Sequence, residues 1–261
     1  MTLNVRLSVE SVSRTHVGKV RKHNEDSLLD RADVGLWAVA DGMGGHQAGD
    51  VASGMIVDAL ERVDDFSSGY AFMADARDTI QRVNRTLLAR AAAMSPGAVI
   101  GSTVVVLLMY DRHYACLWAG DSRLYLLRGG RFEQLTRDHS MIQELVDAGS
   151  LNRAEARHHK RSNVITRAVG VTDSLALDMV QGELAEGDVF LICSDGLTGM
   201  LEDREIHHIL ATASLDAAAD GLINATLERG ARDNVAVVLV RAGRSPDDTL
   251  DQTQALSWGP R

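Results

Sequence analysis

The chain has 261 residues and a formal net charge of −9, with 45% hydrophobic, 24% charged and 4% aromatic residues. That composition supports a full hydrophobic core and excludes disorder, collagen-like repeats and a disulfide scaffold for the chain as a whole. The acidity makes a poor non-specific ligand for DNA or anionic lipid, and so few aromatics leave few stacking platforms for single-stranded nucleic acid.

The N-terminus, MTLNVRLSVE, lacks a signal-peptide core and is already patterned like a strand, with Leu7, Val9 and Val12 near its start. Gly35 to Ala40 (GLWAVA) is a second apolar run, expected to stop at Asp41-Gly42. The period then changes: Ala52, Ile56, Ala59, Leu60 and Val63 share a helical face, with Asp50 placed as an N-cap. A second helix is predicted from about Phe72 to Met94, ended by Pro96-Gly97. Strands follow over Thr103–Tyr110, Tyr114–Ala119, Ser122–Leu127 and Phe132–Leu135, the last two joined through Gly129-Gly130. Ser140 reads as an N-cap and Gly149 as a helix stop.

The stretch 152–170 is polar, basic and weakly patterned, like a surface insertion. Strands at Ala176–Glu183 and Asp188–Cys193, helices at Asp203–Ala213 and Leu215–Glu228, and a last strand at Val235–Val240 complete the pattern. Residues 243–261 have no period and read as a flexible tail. Strands come in runs and helices in pairs, so the expected fold is α+β: antiparallel sheets covered by helices, in one domain over residues 1–242 with an insertion near 140–170. Cys116 and Cys193 lie inside apolar runs and read as buried reduced thiols. The longest apolar run, Val104–Tyr110, falls far short of the ~20 residues needed to span a bilayer. A cytoplasmic location is expected.

The chemistry lies in where the acids sit. Asp41 follows GLWAVA, Asp121 follows YACLWAG, Asp195 follows VFLICS, Asp233 precedes NVAVVLV, and Glu25-Asp26 precedes SLL. A single Asp-Gly step is more often a turn, but several acids each abutting a buried strand are harder to explain that way. If the strands share one sandwich, the carboxylates can converge at one rim. Two unit charges ~4 Å apart repel by ~4 kcal/mol at an effective dielectric near 20, so convergence requires cations. An all-oxygen ligand set calls for Mg²⁺ or Mn²⁺, and two such ions form a clamp suited to phosphoryl displacement. Competing motifs fail: Gln47 occupies the last glycine position of a dinucleotide fingerprint, and neither a phosphate loop nor a nucleophile elbow is present.

The set VGKVRKHNEDS (17–27), VADGMGGHQAGD (39–50), GST (101–103), AGDSRLYLL (119–127), LTRDHS (135–140), NVITRAVG (163–170), CSDGL (193–197) and ARDNVAVV (231–238) resembles the bacterial branch of the protein phosphatase 2C family, metal-dependent protein serine/threonine phosphatases. The resemblance implies a four-layer α-β-β-α sandwich with two central, mainly antiparallel sheets. It also implies a dinuclear metal site and a mobile flap over 140–170.

Carried over by position, Asp41 bridges two Mn²⁺ or Mg²⁺ ions and the Gly42 carbonyl binds the second. Asp195 and Asp233 complete the first site, while Glu25 and Asp26 hold the second through its waters. Asp121 with Asp195 matches a third-metal site, and Arg21 pairs with the substrate phosphate. Animal members carry histidine directly after Asp-Gly as a candidate general acid. Here Met43 takes that place, and His46 is the nearest imidazole to serve. The basic flap, with Arg157, Lys160, Arg161 and Arg167, suits a phosphorylated polypeptide, and Arg161 and Arg167 are its candidate substrate contacts. His139, His158-His159 and His207-His208 read as surface or packing residues.

The expected activity is phosphoserine/phosphothreonine hydrolysis by metal-activated water, opposing a bacterial Ser/Thr kinase. Two other readings are a non-catalytic phosphoprotein-binding module of the same fold and a hydrolase of small phosphoesters. The wording GLWAVADGMGGH and the absence of extra domains are similar to phosphatases paired with a kinase and a phosphothreonine-reading protein at type VI secretion systems. A monomer is expected.

Overall fold

The structure is a computed structural model that describes residues 7–44, 48–64, 67–152, 155 and 164–244. In chain order its elements are β1 (Leu7–His16), β2 (Asp26–Arg31), β3 (Leu36–Gly44), α1 (Ala48–Leu60), α2 (Gly69–Met94), β4 (Ile100–Ser102), β5 (Val104–Tyr110), β6 (His113–Ala119), β7 (Arg123–Arg128), β8 (Arg131–Gln134), α3 (Met141–Asp147), β9 (Asp178–Glu183), β10 (Val189–Cys193), α4 (Asp195–Thr198), α5 (Asp203–Thr212), α6 (Leu215–Glu228) and β11 (Val235–Arg244). One sheet runs β1-β11-β10-β7-β8; the other runs β2-β3-β5-β6-β9, with β4 added on β3. Every strand pairing is antiparallel.

Side-chain alternation builds the layers. In β11, Val235, Val237 and Leu239 face α5 and α6, meeting Ile206, Ala219 and Leu222. The alternate residues Ala236, Val238 and Val240 face the other sheet, where Trp37, Val39, Val105 and Leu107 wait. On the far side, α1 and α2 lay Ile56, Leu60, Phe72, Ile80 and Leu87 over Ala38, Val106 and Leu108. Central strands are thus enclosed on both faces, which is why they read as continuous apolar runs. Each Val or Leu so enclosed contributes about 1.5–3 kcal/mol. The result is the expected α-β-β-α sandwich.

Several expected boundaries move. The second strand does not stop at Asp41: β3 runs to Gly44 because it changes partner, pairing with β5 through Val39 and with β4 from Gly42. Thr103, expected to open a strand, instead separates β5 from the short β4, which the sequence did not signal. Asp50 is not an N-cap, since α1 begins at Ala48; its carboxylate accepts from the Val51 N–H at 2.8 Å inside the first turn. Gly243 and Arg244 are not tail, because they pair with Ser8 and Leu7. The four-residue α4 went unpredicted, being too short to show a helical period. Ser140 does cap α3, accepting from the Gln143 N–H. The two ends of the 140–170 segment are tied down by bridges Ser140–Ile165 and Ser102–Val169.

Candidate active site

Strand register gathers the acids. Asp26, the first residue of β2, lies directly opposite Asp41 in β3. The start of β5 pairs with the end of β6 (Val104 with Ala119), and the turn after that end carries Asp121. The end of β10 pairs with the start of β7 (Cys193 with Arg123), so Asp195, which opens α4, emerges beside Asp121. β11 begins opposite the end of β1 (Val235 with His16), placing Asp233 on the same rim. Asp26 and Asp121 are buried, and Glu25, Asp41, Asp195 and Asp233 are part-exposed, so the cluster opens on one side.

Neutral side chains set the positions. Thr103 Oγ1 accepts from the Asp41 N–H at 3.1 Å and lies 2.7 Å from Ser122 Oγ, next to Asp121. The single Ser102 hydroxyl proton is shared between the Thr103 carbonyl at 2.7 Å and the Asp41 carbonyl at 3.0 Å. Ser194 Oγ donates to Asp26 Oδ2 at 2.7 Å and accepts from the Ala236 N–H at 2.9 Å. Asn234 donates to the carbonyls of Val17 and His23 and accepts from the Glu25 N–H at 2.9 Å, clamping the loop that carries Arg21 and Glu25. Gly42 has no room for a side chain: a Cβ would stand 2.0 Å from the Gly49 carbonyl oxygen.

Sequence reasoning missed these supports. Thr103 stood inside a quoted motif and Asn234 beside a predicted ligand, but no periodic signal marks a hydroxyl or an amide as a brace.

The electrostatics are those of an uncompensated acidic cluster. Burial, with repulsion from Asp195, Asp233 and Glu25, pushes Asp26 up to about 7 against the pull of Ser194. Burial and its acidic neighbours raise Asp41 well above the carboxylate range. Asp121 is pushed to about 8, by burial first and by Asp195 and Asp138 next. Asp195 rises to about 6 through burial and Asp233, tempered by a side-chain hydrogen bond with Asp41. Among the described residues, two buried oxygens, Asp26 Oδ1 and Asp121 Oδ1, have no hydrogen-bond partner.

Orphaned carboxylate oxygens in an all-oxygen donor set fit hard divalent cations. Among the described residues no three acidic, His or Cys side chains already form a closed cage.

Arg21 stands at the rim, half-exposed, with Nη2 donating to Asp233 Oδ2 at 2.7 Å. His46 and Arg161 lie outside the described residues. Arg167, an expected substrate contact, is instead committed within the protein: its Nη1 pairs with Asp178 Oδ1 at 2.5 Å, which neutralises its charge. His139 and His207 are packing residues as read, stacked on Trp118 and Phe132 respectively. Cys116 and Cys193 are buried free thiols; burial raises both, Cys193 to about 12, and suits neither to nucleophilic attack.

Residues 8–145 match the family model described as Protein phosphatase 2C. The serine/threonine phosphatase Stp of Listeria monocytogenes is 36% identical over 235 residues, covering 87% of this chain and 93% of that protein. The chain belongs to the protein phosphatase 2C family.

Two solved structures add detail. One, described as PppA, a key regulatory component of T6SS in Pseudomonas aeruginosa, is 44% identical over 92% of this chain and all of that one, with a TM-score of 0.85. The other is the catalytic domain of the phosphatase PstP in complex with two manganese ions, 34% identical over 91% of this chain and 99% of that one, with a TM-score of 0.82. This phosphatase 2C member is therefore a metal-dependent protein serine/threonine phosphatase with a dinuclear Mn²⁺ or Mg²⁺ site. Loss of the central aspartates would favour the non-catalytic reading, and Asp41, Asp195 and Asp233 are all present at the rim. Among the described residues no helix is long and apolar enough to cross a membrane.

Proposed function

We propose that Asp41, Asp195 and Asp233 hold one cation, that Asp41, the Gly42 carbonyl, Glu25 and Asp26 hold the second, and that Asp121 with Asp195 holds a third, weaker one. The observation that carries this reading is the pair of orphaned buried oxygens, Asp26 Oδ1 and Asp121 Oδ1, within carboxylates whose charges disfavour one another. When bound, the two core ions supply an activated water and offset the charge that develops on the transferring phosphoryl group.

The chain's own residues do the rest. Ser194 orients Asp26, and Thr103 and Ser102 fix the Asp41 backbone, so the carboxylates need no rearrangement when a phosphoester arrives. Arg21 is a half-exposed cation of the rim, paired with Asp233. Were Asp233 to hold a cation, the Arg21 guanidinium that now pairs with it would be available to grip the substrate phosphate in bidentate fashion. The leaving alkoxide needs a proton, and His46 is the imidazole assigned to give it. The domain runs to Arg244, the end of β11, with residues 140–170 as its flap, and the tail beyond serves no catalytic step.

The physiological setting is the reversal of a Ser/Thr kinase in a type VI secretion system, in the cytoplasm, with a phosphothreonine-binding protein as the third member. The 44% identity to PppA supports this context. The direct test is hydrolysis of a phosphothreonine peptide by the chelated protein before and after addition of Mn²⁺: activity should vanish and return. Full turnover in a sample shown to be metal-free by elemental analysis sinks the metal assignment. For the setting, deleting the gene should raise phosphothreonine on a kinase encoded beside it, and an unchanged level would remove that kinase as the opposing enzyme.

A further inference from the structure

His139 grips the turn that carries Asp121 from behind. Its backbone N–H donates to the Gly120 carbonyl at 2.9 Å, and the Gly120 N–H donates to its Nδ1 at 3.1 Å. One buried residue thus closes a two-bond clasp on the turn. With Nδ1 accepting, the ring proton resides on Nε2, which lies 3.1 Å from Asp178 Oδ2, its acceptor, and 3.1 Å from Arg167 Nη1, a second donor with which it makes no hydrogen bond. Arg167 holds the other Asp178 oxygen, and the Thr166 N–H donates to the His139 carbonyl at 2.8 Å. Burial lowers the pKa of His139 against the pull of Asp178, in keeping with a neutral ring.

The turn has few supports of its own. Gly120 sits at φ +116, and a Cβ there would stand 2.5 Å from Thr103 Cβ, so only glycine fits. Asp121 Oδ1 is buried with no partner to orient it. Rigidity must come through the backbone, and His139 supplies it.

We propose that His139 is a positioning residue that couples the 164–178 segment to Asp121 through Gly120, so that the base of the flap region and the Asp121 carboxylate move as one unit. This rests on the reading of Asp121 as a cation ligand.

Three variants test it. His139→Asn keeps an acceptor near the place of Nδ1, His139→Gln offers an amide near the place of Nε2, and His139→Ala removes both. In the full chain, amide exchange at Gly120 should lose protection in the Ala and Gln variants and keep it in Asn. Titration of the chelated protein with Mn²⁺ should show the weakest site losing about 10–100-fold in affinity in the Ala and Gln variants, the size expected of a group behind a ligand. Their kcat should fall with that occupancy while KM for a phosphothreonine peptide stays put.

Unchanged Gly120 exchange in His139→Ala, or equal losses in Asn and Ala, would overturn the proposal. If His139→Ala does not fold, Asp178→Asn enters the same chain from its far end and should deprotect Gly120 to a smaller degree; no change there also overturns it. Asp121→Asn separates the two readings. If it leaves the Mn²⁺ titration unaltered, the ligand assignment fails, while the Gly120 exchange result still reports on the clasp.

Discussion

Asp26 and Asp41 face each other directly across the β2–β3 ladder, two carboxylates in register on one side of the sheet. Like charges placed so destabilise a sheet, and burial adds to the cost, holding Asp26 up to about 7 and Asp41 well above the usual carboxylate range. The fold carries this strain at the one place where bound cations remove it.

A pH signature follows for the metal-free protein. Carboxylates whose folded pKa is raised bind more protons folded than unfolded, so stability falls as pH rises from the unfolded value near 4 through the folded values of about 6 to 8. The chelated protein should melt at its highest temperature near pH 5 and lose stability toward about pH 8. Mn²⁺ should raise the melting temperature, with a larger increment at the alkaline end. A metal increment that is the same at both ends of the range would contradict the mutual-repulsion account.

Asp41→Asn should be far worse than Asp121→Asn. An amide has one oxygen and no charge, so it cannot serve two ions; kcat should fall by roughly 10²–10³-fold or more, the scale of losing one preorganised electrostatic contact. Asp121→Asn leaves both core ions in place and should mainly weaken the third. Calorimetry that finds two tight ions surviving Asp41→Asn would show that this residue does not bridge.

Much of this was legible in the sequence because strands and ligands share a logic: a buried strand must end, and an acid at each end is conspicuous. The six acids on the rim stood out in that way, whereas Arg21 was singled out only by the family resemblance. What escaped was partner exchange between strands. Nothing in VADGMGG shows that Gly42–Gly44 will leave β5 for β4, and with it went the role of Thr103. The aspartates announce themselves by charge, whereas the hydroxyls and the amide that hold them look like ordinary loop residues. Arg167 shows the converse, a basic residue in a basic stretch whose charge is already claimed by Asp178.

Thr103→Val is the cleanest probe of that hidden layer. The substitution keeps shape and removes the hydroxyl, leaving the Asp41 N–H and Ser122 Oγ short of one partner each. Stability should drop by about 1–3 kcal/mol, and metal affinity by about 10–100-fold. Thr103→Ser should restore both. Wild-type Mn²⁺ affinity in Thr103→Val would reduce Thr103 to a packing residue.

Arg21 offers two roles that kinetics can separate. Its guanidinium now pairs with Asp233, and a half-exposed side chain of this length can swing out to meet a phosphate. If it binds substrate, Arg21→Ala removes a charge-assisted contact of about 1.5–3 kcal/mol, so KM for a phosphothreonine peptide should rise by roughly 10- to 150-fold. Saturating metal should leave kcat comparatively intact. Arg21→Lys should recover little, because an ammonium cannot reproduce the planar two-point grip. If the residue serves only as a counter-ion for Asp233, the same variant frees that carboxylate. Mn²⁺ would then bind more tightly and KM would not move. Measuring KM and metal affinity on one preparation decides between the two, since the first role shifts KM upward and the second shifts only the metal titration.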